Sequence, residues 1–317
     1  MKRALLIGID NYDAVAALSG CVNDATAIEP LLGRNENGSP NFDCRLLTSN
    51  NDRVDRRTVL GAIDELLKPG ADVALFYFAG HGDSANHDVV LVTQDGCNQD
   101  LGVTFSHLMG KAQNSQVPEV IVILDCCFSG SAGSLPQLGT DIAALRGGVS
   151  ILTASRGDQT AAETADGRGL FSKYFCGALE GGAADVLGKV TVAGVYAYLS
   201  ESFGPWDQRP TFKANLDRLN VLRSCDSAVP LEDLRKLPSV FSSETTELPL
   251  DPSYEPDAQP PHPEHEKVFG ILQKCRAAKL VEPIGADHMY YAAVESKACR
   301  LTLLGRHYWR LANQKRL

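Results

Sequence analysis

The sequence predicts an α/β fold in which a mostly parallel sheet lies between helices, followed by a smaller C-terminal unit. Three observations carry this: continuous apolar runs without helical period, amphipathic stretches alternating with them, and a shift in charge and proline content after residue 225. Strands buried on both faces read as unbroken apolar runs, and helices between them imply a parallel sheet covered on both sides. With 317 residues, 44% hydrophobic and 22% charged, the chain has enough material for one large domain and something smaller. That composition excludes a disordered or fibrous chain.

Residues 4–9 form the first apolar run and end in the turn chemistry of Asp10-Asn11-Tyr12. Residues 23–32 read as a helix, and so do 57–67, with apolar side chains at 59, 60, 63, 66 and 67. Residues 73–79, 120–124 and 149–154 are further buried strands, and 169–179 a third helix. In open parallel sheets the reactive groups collect just beyond the carboxyl ends of the strands. Two such ends carry chemistry here: Gly80-His81-Gly82-Asp83 and Asp125-Cys126-Cys127-Phe128-Ser129-Gly130. A lone histidine or cysteine is usually structural, but one at a strand lip beside glycine, where a substrate backbone has room to approach, favours catalysis.

Nine cysteines, an odd number with no C-x-x-C spacing, suggest neither a disulfide framework nor a zinc site. No stretch approaches the ~20 apolar residues of a membrane span, and the first residues run straight into a strand rather than a signal core, so a cytoplasmic protein without membrane contact is expected. Charge divides the chain. Residues 265–317 hold ten Lys/Arg against four Asp/Glu, a net of +6 within a chain of net −9. Residues 226–264 hold eight of the sixteen prolines, nine acids and two bases. The expected organisation is a domain over 1–225, an extended acidic linker over 226–264 and a basic module over 265–317. In that module a helix ends near 278–280, a hairpin-like stretch runs from His288 to Thr302, and a closing helix covers 304–311.

On these residues the sequence resembles the caspase-like cysteine peptidases, and more closely their metacaspase branch. The matching pieces come in family order: residues 5–12, Leu18 to Ala25, Phe76 to Gly82, Leu124 to Gly130, Thr153 to Arg156, and Gln208 to Pro210. The resemblance spans roughly 220 residues and implies a caspase-like fold with a six-stranded, mostly parallel sheet. It implies that His81 and Cys127 form a catalytic dyad, with Cys126 only a neighbour, and that the N–H groups of Gly82 and Cys127 form the oxyanion hole. It also implies an acidic substrate pocket from Asp24 and Asp125, with Cys21 nearby. Two carboxylates suit a guanidinium or ammonium group, so cleavage after Arg or Lys follows. The plainer alternative is that Asp24 caps a helix and Asp125 orients a loop.

The sequence departs from the family in having Ala79 where serine is common, and Phe128 where histidine is frequent. The paired acids that hold calcium in many metacaspases are missing from Val103-Thr104-Phe105-Ser106-His107, and Asp95 alone cannot supply six to eight oxygens. No metal or other cofactor is expected, calcium included. Activation by self-cleavage at Arg146, in the Gly/Ser-rich loop 131–148, is one expectation; an ordered substrate lid is the other. Residues 265–317 resemble the later half of winged-helix domains. An adaptor that docks a partner or sensor protein is the favoured role, ahead of DNA binding through the +6 charge, with packing on the acidic domain as a third. The implied function is a cysteine endopeptidase in a bacterial stress, defence or regulated-death pathway. The alternatives are an idle caspase-fold scaffold and a DNA-bound regulator.

Overall fold

The first apolar run forms β1 (Lys2–Gly8), and the rest of the sheet is built around it and its neighbour β3. The computed structural model describes residues 1–85, 88–97, 100–129, 145–154, 168–204 and 210–317, with the backbone alone at 84–85 and 127–129. The chain divides into two units, Met1–Ala184 with Lys189–Cys225, and Asp185–Gly188 with Asp226–Leu317.

In the first unit β1 is followed by α1 (Cys21–Gly33), β2 (Phe42–Thr48), α2 (Arg56–Leu66), β3 (Val73–Ala85), β4 (Asp88–Cys97) and β5 (Asp100–Thr104). Then come α3 (Phe105–Asn114), β6 (Glu119–Ser129), β7 (Val149–Thr153), α4 (Leu170–Gly177), β8 (Lys189–Thr191), α5 (Val192–Ser202), β9 (Thr211–Asn215) and β10 (Val221–Ser224). The main path of the sheet is β2-β1-β3-β6-β7-β9, parallel throughout except for β9 against β7. This is the six-stranded, mostly parallel sheet expected from the sequence. Two further strands extend it, β4 antiparallel to β3 and β5 antiparallel to β4. They escape a search for unbroken apolar runs because Val89 to Val92 gives way at once to Thr93, Gln94 and Asp95.

Alternation along the strands divides the core in two. Ala74, Phe76, Phe78, Val122 and Leu124 pack with Val59 and Ile63 of α2 and Leu108 and Met109 of α3. Leu75, Tyr77, Ile121 and Ile123 pack on the other side with Ala25 and Ile28 of α1 and Phe171 and Phe175 of α4. Burial on both faces is why these strands read as continuous apolar runs. Gly8 lets α1 approach the end of β1: a Cβ there would lie 2.4 Å from the carbonyl oxygen of Cys21.

The second unit contains α6 (Leu231–Val240), β11 (Glu247–Pro249), a 3-10 turn at Pro252–Tyr254, α7 (Pro263–Ala277), β12 (Val281–Ile284), α8 (Met289–Val294), β13 (Ala298–Leu301) and α9 (Leu303–Asn313). Its strands form an antiparallel sheet in the order β11-β13-β12. The expected linker over 226–264 is therefore corrected, since Val229, Leu234, Leu237, Phe241, Leu250 and Tyr254 are buried with Phe269, Leu272 and Cys275 in one core. Four of its prolines sit where the ladders need no N–H donor, while Pro238 lies inside α6. Pro230 is the N-cap of α6, Pro252 and Pro263 begin helical turns, and Pro249 ends the edge strand β11. The hairpin expected between residues 288 and 302 is also corrected, because α8 lies between the paired strands β12 and β13. Helix-turn-helix readers need two helices joined by a short turn. Here α7 leads into a strand, so the winged-helix expectation gains no support among the described residues. No helix among those residues is long and apolar enough to cross a membrane.

Candidate active site

The site lies where β3 changes partners. Its pairing with β1 ends at Gly8↔Ala79, and its pairing with β4 starts at Gly82↔Leu91. His81 falls in the gap between them. Tyr12, from the loop after β1, fills that gap: its hydroxyl accepts the His81 backbone N–H at 2.8 Å, and its ring lies 5.0 Å from the imidazole, centroid to centroid. On the other side β3 stays paired with β6 through His81↔Cys127 and Gly82↔Phe128. The two dyad positions are thus register partners on adjacent parallel strands, which run ~4.8 Å apart. The Cys127 side chain lies outside the described residues. Cys126 is 1% exposed and belongs to the core with Phe78 and Leu124.

The imidazole is oriented from the same loop. Nε2 of His81 lies 2.8 Å from the carbonyl oxygen of Ala16. A carbonyl only accepts, so Nε2 carries the proton and the lone pair is left on Nδ1, the tautomer a general base requires. The loop that supplies Ala16 is fixed in turn: Asp10 and Asn11 donate their N–H groups to Ser49 Oγ, and Leu18 donates to the Asp10 carbonyl.

Asp24 and Asp125 come together although 101 positions separate them in the sequence. Both are buried, at 2% and 5% exposed. Asp24 bonds at the start of another helix rather than of its own: its Oδ2 accepts the N–H of Gly169, the N-cap of α4, at 3.0 Å. Asp10 accepts the N–H groups of Cys21 (2.9 Å) and Val22 (3.4 Å) at the start of α1. Cys21, partly buried, is the first residue of that helix. Gly169 sits between the two acids. A Cβ on it would lie 3.0 Å from Asp24 Oδ2 and 3.2 Å from Asp125 Oδ2, so both carboxylates border one point that only glycine leaves open.

Burial, and then the charge of Asp125, push the Asp24 carboxyl from 3.8 up to about 7, against the hydrogen bond from Gly169 N–H and the charge of Arg168. Asp125 is steadied by a hydroxyl relay. Ser172 donates to Asp125 Oδ2 at 2.5 Å, and its Oγ lies 2.6 Å from the Tyr77 hydroxyl, which is left to donate. Burial, reinforced by Asp125 and Asp24, raises the Tyr77 phenol well above its usual range, so it stays protonated. Arg168 places Nε 3.4 Å from Asp24 Oδ1 and Nη2 3.0 Å from Cys176 Sγ.

Reasoning from the sequence therefore missed Ala16, Tyr12, Tyr77, Arg168 and Ser172. Tyr12 and Tyr77 stood inside quoted motifs but were read as turn and core. Arg168 and Ser172 lie on a segment whose only signal was helical period. Arg146, the expected self-cleavage position, is not at the acid pair: its guanidinium donates to the carbonyls of Ala112 (3.0 Å), Gly147 (2.8 Å) and Val117 (2.8 Å). Most of the loop around it, residues 131–144, lies outside the described residues, as do Ser155, Arg156, Gln208 and Arg209. Among the described residues no cluster of three or more His, Cys, Asp or Glu could hold a metal ion.

His81 and Cys127 are register partners at neighbouring strand ends of a mostly parallel α/β sheet, the part of such sheets where reactive groups collect. The family follows from comparison with known proteins: residues 1–221 match the caspase domain model, and the chain belongs to that family of cysteine peptidases. It is 33% identical over 150 residues to metacaspase-1 of Plasmodium falciparum, covering 41% of this chain and 24% of that protein. It is 31% identical over 155 residues to metacaspase-2 of Trypanosoma brucei brucei, covering 42% and 43%. The chain thus spans less than half the length of these curated relatives. Caspase-1 of Spodoptera frugiperda superimposes with a TM-score of 0.50 at 14% identity, over 71% of this chain and 90% of that one. A Geobacter sulfurreducens protein does so with 0.53 at 16% identity, over 68% and 94%. These structural likenesses concern the fold alone.

Proposed function

We propose that this chain is a cysteine endopeptidase that cleaves after Arg or Lys. The observation that carries the reading is the convergence of His81↔Cys127 register pairing with a buried pair of acids, one of them two residues before the cysteine on the same strand. The Cys127 thiol passes its proton to His81 Nδ1, and the sulfur attacks the peptide carbonyl. The N–H groups of Gly82 and Cys127 hold the resulting oxyanion. His81 then protonates the leaving amine, and water hydrolyses the thioester. Asp24 and Asp125 receive the cation of the residue before the scissile bond, with Cys21 at the rim. Calcium plays no part in this scheme: Asp95 Oδ1 already accepts from Arg56 N–H at 3.0 Å and the Thr93 hydroxyl at 2.7 Å.

For the second unit, a protein-docking adaptor suits the surface better than a DNA reader. Tyr290 and Tyr291 are about half exposed and Leu303 is 81% exposed.

The test is turnover of fluorogenic peptides ending in Arg, Lys or Asp. Cleavage after Arg and Lys, lost by on the order of 10⁴-fold or more in Cys127→Ala, is expected. Turnover that persists in Cys127→Ala, or a preference for Asp, contradicts the proposal.

A further inference from the structure

The acid pair already holds a cation of its own. Arg168 immediately precedes Gly169, where an added Cβ would lie tightly against both carboxylates, 3.0 Å from Asp24 Oδ2 and 3.2 Å from Asp125 Oδ2. Its guanidinium reaches back to Asp24 Oδ1, while its other end is steadied on Cys176 Sγ. The side chain of Arg168 is 21% exposed and that of Asp24 4%, so the arginine is the outer member of the pair.

We infer that Arg168 is a specificity-determining residue: its guanidinium competes with the substrate's basic side chain for Asp24, so that the bound substrate must displace or share it. This rests on the acidic-pocket reading above and adds an internal competitor to it. The contact itself argues for exchange rather than permanent locking. At 3.4 Å through Nε alone, the pair lacks the shorter bidentate geometry of a strong arginine–carboxylate clamp, whereas a substrate guanidinium entering end-on would present its planar fork. The internal charge also offsets part of the repulsion between the two buried acids.

The experiment uses the full chain as wild type, Arg168→Gln, Arg168→Lys and Asp24→Asn, with acetyl-arginine amide and its neutral citrulline counterpart as probes in calorimetry. Arg168→Gln should bind the arginine amide about tenfold to a hundredfold more tightly than wild type. Arg168→Lys keeps the charge and should stay within a few-fold of wild type, and the citrulline amide should not distinguish the three chains. In turnover, Arg168→Gln should lower KM for Arg peptides with kcat within about twofold. Arg168→Met, similar in reach and uncharged, repeats the measurement if the glutamine variant is poorly folded. If Arg168→Gln binds no more tightly while Asp24→Asn still abolishes binding, Arg168 is a structural prop and the inference falls, leaving the acidic pocket intact. If Asp24→Asn leaves arginine-amide binding unchanged, the pocket reading fails and takes the inference with it. Tighter binding in Arg168→Gln without peptide turnover in any variant upholds the competition and removes the peptidase claim.

Discussion

Two buried aspartates in this chain show how differently the same side chain is used. Asp24, in α1, faces another carboxylate and is held near neutral pH by burial and by the charge of Asp125. Asp233, in α6, is 7% exposed and lies between two ammonium groups, Lys274 Nζ at 2.9 Å and Lys236 Nζ at 3.1 Å. Burial pushes the Asp233 carboxyl up, but the hydrogen bonds and charges of Lys274 and Lys236 outweigh it and leave the group below its ordinary value. An acid with enough partners of opposite sign serves the fold. Asp24 has one partial counter-ion and a like-charged neighbour, an arrangement that costs stability when the acid is ionised.

The largest expected effect is on stability against pH. The folded-state value of Asp24, about 7, lies above its ordinary 3.8, so its favourable contribution is fully present below about pH 4 and lost as pH rises through about 7. The shift corresponds to on the order of 4 kcal/mol. In urea unfolding of the Cys127→Ala chain with and without Asp24→Asn, the difference should shift in favour of the asparagine variant as pH goes from 5 to 8. A flat difference would erase the contrast between the two acids. Asp233 should show the opposite sign, its contribution present above its unfolded value and lost as pH falls through the lower folded one.

Next in size is specificity. Asp24→Asn should lose about ten- to a hundredfold of the preference for an Arg peptide over its citrulline analogue, whereas Asp233→Ala should leave kcat/KM for both unchanged. An equal loss in both variants would mean that the site extends beyond the residues described above. The smallest effect is the stability cost of Asp233→Ala. Lys236 and Lys274 are each about half exposed, so their charges return to water once the acid is gone. About 1 kcal/mol is expected, read as a fall in the urea midpoint of the second unit's transition. Several kcal/mol would make Asp233 as consequential to the fold as Asp24 is to the pocket.

Much of the first unit was legible because its strands are buried on both faces. The unbroken runs gave β1, β3, β6 and β7, and helical period gave α1, α2 and α4 to within two residues at nearly every end. The second unit was legible at the chain boundary after residue 225, at α7 and at its closing helix, and misread over 226–264 and between residues 288 and 302. There, prolines at helix starts and on an edge strand look like extended chain, because composition counts prolines without showing which N–H groups are dispensable. At the site, the residues with a motif were placed in advance: His81, Cys127, Asp24 and Asp125. Ala16, Tyr12, Tyr77, Arg168 and Ser172, which meet those residues only through tertiary contacts, were not.

By itself the sequence determined the strands β1, β3, β6 and β7 and the two strand ends that carry the histidine and the cysteine, because apolar periodicity and glycine placement are local properties of the chain. Tertiary structure alone decided that Asp10 rather than Asp24 caps α1, that Ala16 sets the tautomer of His81, and that Arg168 stands at the acid pair. Each of these depends on which distant polar atoms meet once the strands are in register. Burial then fixes their protonation and charge, and burial is a property of the packed chain that no single segment carries.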